Sequence, residues 1–211
     1  MKILNLFIFL FLTFAALNKA FPLADSVIVK ENPMKIGVRF SPSFNFFDYG
    51  NLPFVGIRDD YKIGTAFGIV FDWNLSPYNN IRLEPYLELQ NLVNNSTTSN
   101  LPIQTRFRNI GIGLDAIPLV LKFGGRIKPQ VSFGGHIKYI FNSKHETTLD
   151  EDLIYNFSLN TNNLLVGINY GIGTYFGKRL IEIRYYQGLN EFVSNSKVPN
   201  SINQIQLILI Y

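Results

Sequence analysis

Residues 61–93, YKIGTAFGIVFDWNLSPYNNIRLEPYLELQNLV, form two alternating runs joined by a short polar turn. In the first run Ile63, Thr65, Phe67, Ile69, Phe71, Trp73 and Leu75 share one side. Lys62, Gly64, Ala66, Gly68, Val70, Asp72 and Asn74 take the other. In the second, Ile81, Leu83, Pro85, Leu87, Leu89 and Val93 alternate with Arg82, Glu84, Tyr86, Glu88 and Gln90. Successive side chains of a strand leave opposite faces of a sheet, so a period of two predicts β-strands. Each run exceeds the roughly five or six residues of an ordinary globular strand. Each also covers the roughly 9–11 residues that cross a bilayer at a tilt.

The two faces are inverted relative to a soluble sandwich. One is large, apolar and aromatic; the other mixes glycine with charges of both signs. A lipid-facing wall around a small polar lumen fits that arrangement, so the hairpin reads as two staves of a transmembrane β-barrel.

Composition agrees. Hydrophobic residues make up 47% of the 211-residue chain and charged ones 16%, with 19 Phe and 11 Tyr. Beyond the N-terminus no segment approaches the ~18 consecutive apolar residues of a membrane helix, so the apolarity is spread over alternating strands. A net charge of +4 without a dense Lys/Arg cluster excludes a nucleic-acid surface. With no cysteine there is no disulfide, thiolate chemistry or lipidated cysteine.

Met1–Ala20 carries Lys2, the apolar run Ile3–Leu17 broken by Asn5 and Thr13, and then Asn18-Lys19-Ala20. A positive start, a short apolar core and a small residue predict a signal peptide over 1–20, cleaved near Ala20 or Ala24. Residues 21–33 are mixed and polar and read as a periplasmic lead-in. Residues 34–211 read as the barrel.

Along that barrel, alternation predicts further strands at 34–46, 108–123, 129–141, 164–176, 179–189 and 202–211. Polar loops are expected at 47–60, 94–106, 142–162 and 190–200, and tight turns at 76–80, 124–128 and 177–178. Pro42 falls on the outward side of its strand. In 108–123 the phase of Ile110, Ile112 and Leu114 is opposite to that of Ile117, Leu119, Leu121 and Phe123. A bulge near Asp115–Ile117, beside Pro118, repairs it. The fold class is therefore all-β: an eight-stranded antiparallel up-and-down transmembrane β-barrel preceded by a signal peptide. Its connections alternate long and short, the pattern of outer-membrane barrels, with short turns on the periplasmic side. The aromatic Tyr211 at the end of the last strand suits the terminal signal read by outer-membrane assembly machinery. Gly64, Gly68, Gly134, Gly167, Gly171 and Gly173 face inward, leaving room for long side chains across a lumen that eight strands make only just wide enough to fill.

Several short pieces, in order, resemble a known family. They are Lys35-Ile36-Gly37-Val38-Arg39-Phe40, Tyr61-Lys62-Ile63-Gly64, Arg82-Leu83-Glu84-Pro85-Tyr86-Leu87-Glu88 and Ile117-Pro118-Leu119-Val120-Leu121-Lys122-Phe123. Lys128-Pro129-Gln130-Val131 leading to Gly134-Gly135, and Ile183-Arg184-Tyr185-Tyr186-Gln187-Gly188-Leu189, complete them. From about Met34 to Tyr211 the chain resembles the PorT-like outer-membrane β-barrel proteins typical of Bacteroidota. That resemblance implies an eight-stranded barrel in the outer membrane and, for most members, no defined activity. The name-giving branch takes part in type IX secretion and gliding.

Asp72, Arg82, Glu84, Glu88, Lys122, Lys138, Glu182 and Arg184 share the inner face. Cations alternate with carboxylates there, and charges removed from water persist when paired, so the set reads as a structural plug rather than an acid/base pair. A narrow ion path is the alternative. His136, beside Ser132 and Lys138, could serve as base to a nucleophile in a lipid-modifying barrel. It points inward, away from a lipid substrate, and reads as a lumen hydrogen-bonder. His145, Glu146, Asp150, Glu151 and Asp152 fall in the longest polar loop. Carboxylate oxygens could hold a cation there, or the loop could contact a partner. Gly111-Ile112-Gly113 and Gly171-Ile172-Gly173 lack the helix of a nucleotide-binding loop.

The chain is thus expected to be a non-enzymatic structural or interaction barrel, without cofactor. Its partners are outer-membrane lipid, the assembly machinery during biogenesis and a protein still to be identified. A narrow channel or an accessory of protein secretion is the alternative, and a soluble lipocalin-like ligand binder is a further one. A lipid-modifying enzyme would need turnover that depends on His136.

Overall fold

The structure, a computed structural model, describes residues 34–48, 58–60, 62–76, 78–98, 101–123, 128–149, 153–155, 161–193 and 201–211. The expected signal peptide (1–20) and lead-in (21–33) lie outside the described residues. Among the described residues there are ten strands: β1 (Met34–Asp48), β2 (Arg58–Asp60), β3 (Lys62–Ser76), β4 (Asn79–Thr98), β5 (Leu101–Lys122), β6 (Pro129–Leu149), β7 (Leu153–Tyr155), β8 (Leu164–Phe176), β9 (Arg179–Gly188) and β10 (Ser201–Ile210).

Eight of these close on themselves. β1, β3, β4, β5, β6, β8, β9 and β10 pair antiparallel in chain order, and β10 pairs back onto β1 from Arg39↔Ile210 to Asp48↔Ser201. Closure leaves no unpaired edge around the wall, and a spanning sheet must close because the bilayer core supplies no water to satisfy an open edge. β2 and β7 are three-residue additions, to β4 at Val93–Asn95 and to β6 at Thr147–Leu149.

The wall follows the alternation. Ile36, Phe67, Leu87, Ile112, Phe133, Ile172 and Ile183 are exposed, whereas Arg39, Glu84, Asp115, Glu182 and Arg184 are completely enclosed. Trp73, Phe123, Phe176 and Tyr211 border the wall at the short-turn end, and Phe44, Tyr139 and Phe141 at the other. From Val131 to Phe141 the strand covers roughly 33 Å. A tilt of about 40° reduces that to roughly the 25 Å apolar band of an outer-membrane barrel. At the short-turn end β8 and β9 are joined by Gly177-Lys178, and Gly177 adopts φ 64°, a conformation that costs glycine no steric clash.

Three expectations are corrected. Residues 94–98, 101–106 and 142–149 are not loop: β4 and β5 pair from Asn79↔Leu121 to Thr98↔Leu101, and β6 runs alongside β5 to Ile103↔Leu149. The β4–β6 arc therefore projects beyond the apolar wall, with only residues 99–100 between β4 and β5. Val93, read as outward with the apolar wall, is buried where β2 joins the arc. The bulge in β5 lies later than expected. Arg82↔Ile117 is followed by Asn80↔Val120, and Ala116↔Gly135 by Leu119↔Phe133, so one extra residue falls between Ile117 and Val120. Ile117 consequently points into the lumen, fully buried. A second bulge, unforeseen, sits at Phe141, where Ile110↔Asn142 is followed by Gly111↔Ile140.

Candidate functional site: a filled lumen

The inward face carries the only dense chemistry among the described residues. Each of its side chains is aimed by strand parity, so neighbours two apart on one strand stack along the barrel axis.

At the centre Arg39 Nη1 donates to Glu84 Oε2 at 2.5 Å and to Asp115 Oδ2 at 2.7 Å. Its Nη2 donates to the Tyr186 hydroxyl at 2.9 Å and to Gln206. Arg184 bridges the same carboxylates, with Nη1 2.9 Å from Glu84 Oε2 and 3.1 Å from Asp115 Oδ2, while its Nε donates to Glu182 Oε1 at 2.7 Å. Arg82 Nη1 reaches Glu182 Oε2 at 3.2 Å. Glu182 also accepts from Gln130 (2.8 Å) and Ser132 (2.7 Å), and the Tyr186 hydroxyl donates to Asp115 at 2.6 Å. Three guanidiniums and three carboxylates are thus linked across β1, β4, β5 and β9. Removed from water, such charges persist because each is paired and hydrogen-bonded.

Two smaller groups flank this cluster. Toward the long-connection mouth Lys138 lies 2.5 Å from Glu88, whose other oxygen accepts from Gln204. Toward the short-turn end Asp72 accepts from Asn80 at 2.6 Å and sits 3.8 Å from Arg82. There Lys122 donates to Asn74 and lies over the Tyr175 ring. Of the eight inner-face residues singled out in the sequence, Arg82, Glu84, Glu182 and Arg184 meet in one cluster. Glu88 and Lys138 form a separate pair, Asp72 borders the cluster, and Lys122 lies over Tyr175, whose hydroxyl accepts from Arg82. Five cations, counting Arg39, and five carboxylates, counting Asp115, occupy this section of the lumen.

Arg39 and Asp115 are central yet absent from that set. Parity alone places Arg39 inward beside Ser41 and Ser43. Asp115 was obscured because the expected bulge was set at that residue.

The long-connection mouth is closed differently. Phe47, Leu92, Phe107, Ile140, Leu165, Phe192 and Ile202 form an apolar cluster, with ring centroids 5.6 Å apart for Phe47–Phe107 and 5.5 Å for Phe107–Phe192. Phe192 comes from the connection after β9, held by a hydrogen bond from Asn162 N to Phe192 O at 2.7 Å. Periodicity could not have found this plug: Phe47 and Phe192 lie in stretches read as loop.

Glycine makes room for the large side chains. A Cβ at Gly113 would strike the Tyr86 ring, and one at Gly171 would meet Glu182 Oε1 at 2.6 Å. His136 is buried, its ring 5.2 Å from that of Tyr186, and Ser132 is engaged by Glu182 rather than by His136. Of the loop group of the sequence reading, His145 and Glu146 leave opposite faces of β6. His145 lies in β6 with its ring 6.2 Å from Phe107, on the inner side, while Glu146 is exposed on the outer side. Asp150, Glu151 and Asp152 lie outside the described residues.

An ion-paired lumen under an aromatic plug, inside a closed wall that exposes leucine, isoleucine and phenylalanine, defines an integral β-barrel of the outer-membrane type. No protein-family model and no curated protein matches the sequence. Among solved structures the chain is similar to Neisserial surface protein A, with 12% identity and a TM-score of 0.41 over 85% of this chain and 97% of that one. It is also similar to the outer membrane protein OprG from Pseudomonas aeruginosa, with 10% identity and a TM-score of 0.38 over 84% and 91%. A third is Ail, the attachment invasion locus protein of Yersinia pestis, with 10% identity and a TM-score of 0.34 over 86% and 99%. The class rests on the strand pairings and the inverted faces, and not on these likenesses.

Proposed function

We propose that this chain is a plugged structural or interaction barrel of the outer membrane. It acts through surfaces at the two ends of the barrel and has no transport path or catalytic turnover. The observation that carries this reading is the double closure of the lumen: a charge-balanced cluster at mid-height and a phenylalanine plug above it. Moving an ion through would require breaking buried pairs, each of which costs about 3–5 kcal/mol when one partner is lost. The arc of β4–β6 beyond the apolar wall supports an interaction role, because it presents polar outward side chains such as Asn142, Lys144 and Glu146 to water. The buried setting of His136, away from lipid, supports the absence of lipid-modifying chemistry.

Purified barrel inserted into planar bilayers is expected to give no conductance above the lipid background. Steady steps that vanish in an Arg82→Gln variant would instead support the alternative, a narrow channel. An accessory role in secretion, the role of the name-giving branch of the PorT-like proteins it resembles, predicts a silent bilayer as well. It is separated by crosslinking in the native host, where it requires a secretion component as the captured neighbour.

A further inference from the structure

Just beyond the apolar wall, at the end of the long connections, the outer face of β5 and β6 turns abruptly basic. Arg106, Arg108 and Lys144 are all exposed there, directly above Ile110, Ile112, Tyr139 and Phe141. Arg108 stands opposite Lys144 in the register, and Arg106 opposite Glu146. Like charges directly opposite each other destabilise a sheet. Among the described residues Arg108 and Lys144 have no ion-pair or hydrogen-bond partner, while Arg106 donates to Gln104 at 2.7 Å. Among the described residues the charges on this face are these three cations and Glu146, an excess of positive charge. Aromatic side chains sit at headgroup level at a membrane border, and Arg108 lies only two residues past Ile110, roughly 7 Å along the strand.

We propose that Arg108 and Lys144, with Arg106 beside them, form a docking site for the phosphate groups of lipid headgroups in the external leaflet. This rests on the membrane-spanning reading above. Two features choose the occupant. The patch is continuous with the lipid-facing wall, so acyl chains against Ile112 and Tyr139 place a headgroup at the height of the two cations. A phosphate between Arg108 and Lys144 also relieves their mutual repulsion, through a bidentate guanidinium contact and an ammonium point charge. Basic side chains near a membrane surface attract anionic lipid in this way.

The test uses the whole barrel in detergent and native mass spectrometry, with lipid A and the same lipid stripped of its phosphates as probes. Wild type is expected to retain lipid A preferentially, and an Arg108→Gln, Lys144→Gln double variant to lose roughly twentyfold in that preference. Millimolar inorganic phosphate is expected to leave the lipid in place. Equal retention of both lipids by wild type, an unchanged preference in the double variant, or displacement by inorganic phosphate would each overturn the site. Heat-modifiable gel migration of both proteins reports the fold separately: a chain that forms no such species overturns the membrane reading itself, and the docking site with it.

Discussion

Arg184→Met is expected to destabilise the barrel by about 3–5 kcal/mol, the cost of leaving enclosed charge without its partner. Arg184 contacts Glu84, Asp115 and Glu182 at once, and all four side chains are completely sealed from solvent. Its removal leaves three carboxylates to Arg39 and Arg82. The urea midpoint of the folded species in detergent, followed by gel migration, reads the loss. Pairing the change with Glu84→Gln restores the charge balance, so the double variant is expected to recover part of the loss, with a coupling of about 1–3 kcal/mol. A single variant within about 0.5 kcal/mol of wild type, the range of an ordinary surface substitution, would show that water reaches the cluster.

Phe192→Ala is expected to cost about 3–5 kcal/mol, in the range of buried aromatic truncations. Its distribution should differ from that of Arg184→Met. Phe192 is fully buried against Phe47 and Phe107 but belongs to a connection, not to the wall. The expected result is faster amide hydrogen exchange at Ile140 and Asn162, whose N–H groups bond to the two connections at this mouth. Exchange in the short-turn half of the strands should stay slow. Bilayer conductance should remain absent, because the ion cluster closes the lumen below. Uniform acceleration across all strands would mean that the plug holds up the barrel as a whole rather than covering its mouth.

What was legible in the sequence is what touches lipid. Ile63 to Leu75 and Ile81 to Leu89 alternate because one side of each strand faces acyl chains, and the wall places those residues accordingly. Where contact with lipid ends, the signal ends, although the strands do not. Asn94 to Thr98 and Ser143 to Thr148 continue to pair, but their sequence is polar at both parities, so they read as loop. The β5 bulge was misplaced for a related reason: Ile117 and Val120 are apolar residues inside the lumen, and an apolar residue on the inner face carries the same letter as one on the outer face. In the lumen the identity of the charged residues was legible by parity, but their grouping was not. Which carboxylate meets which guanidinium depends on the shear of the closed sheet, which brings Arg39 of β1 to Asp115 of β5 and Glu84 of β4. The phenylalanine plug depends on a connection folding back, and no periodic pattern encodes that.

Because the chain contains no cysteine, a single introduced one is a unique probe. The most direct measurement is collision accessibility of spin labels at Phe67, Ile112 and Ile183, with the exposed Glu191 of the connection after β9 as the water reference, in barrel reconstituted into lipid vesicles. Labels at the first three positions are predicted to be relaxed strongly by oxygen dissolved in the bilayer and weakly by a water-soluble nickel chelate, with the reverse at Glu191. Relaxation by the chelate at Phe67, Ile112 and Ile183 as strong as at Glu191 would contradict an apolar wall turned toward lipid.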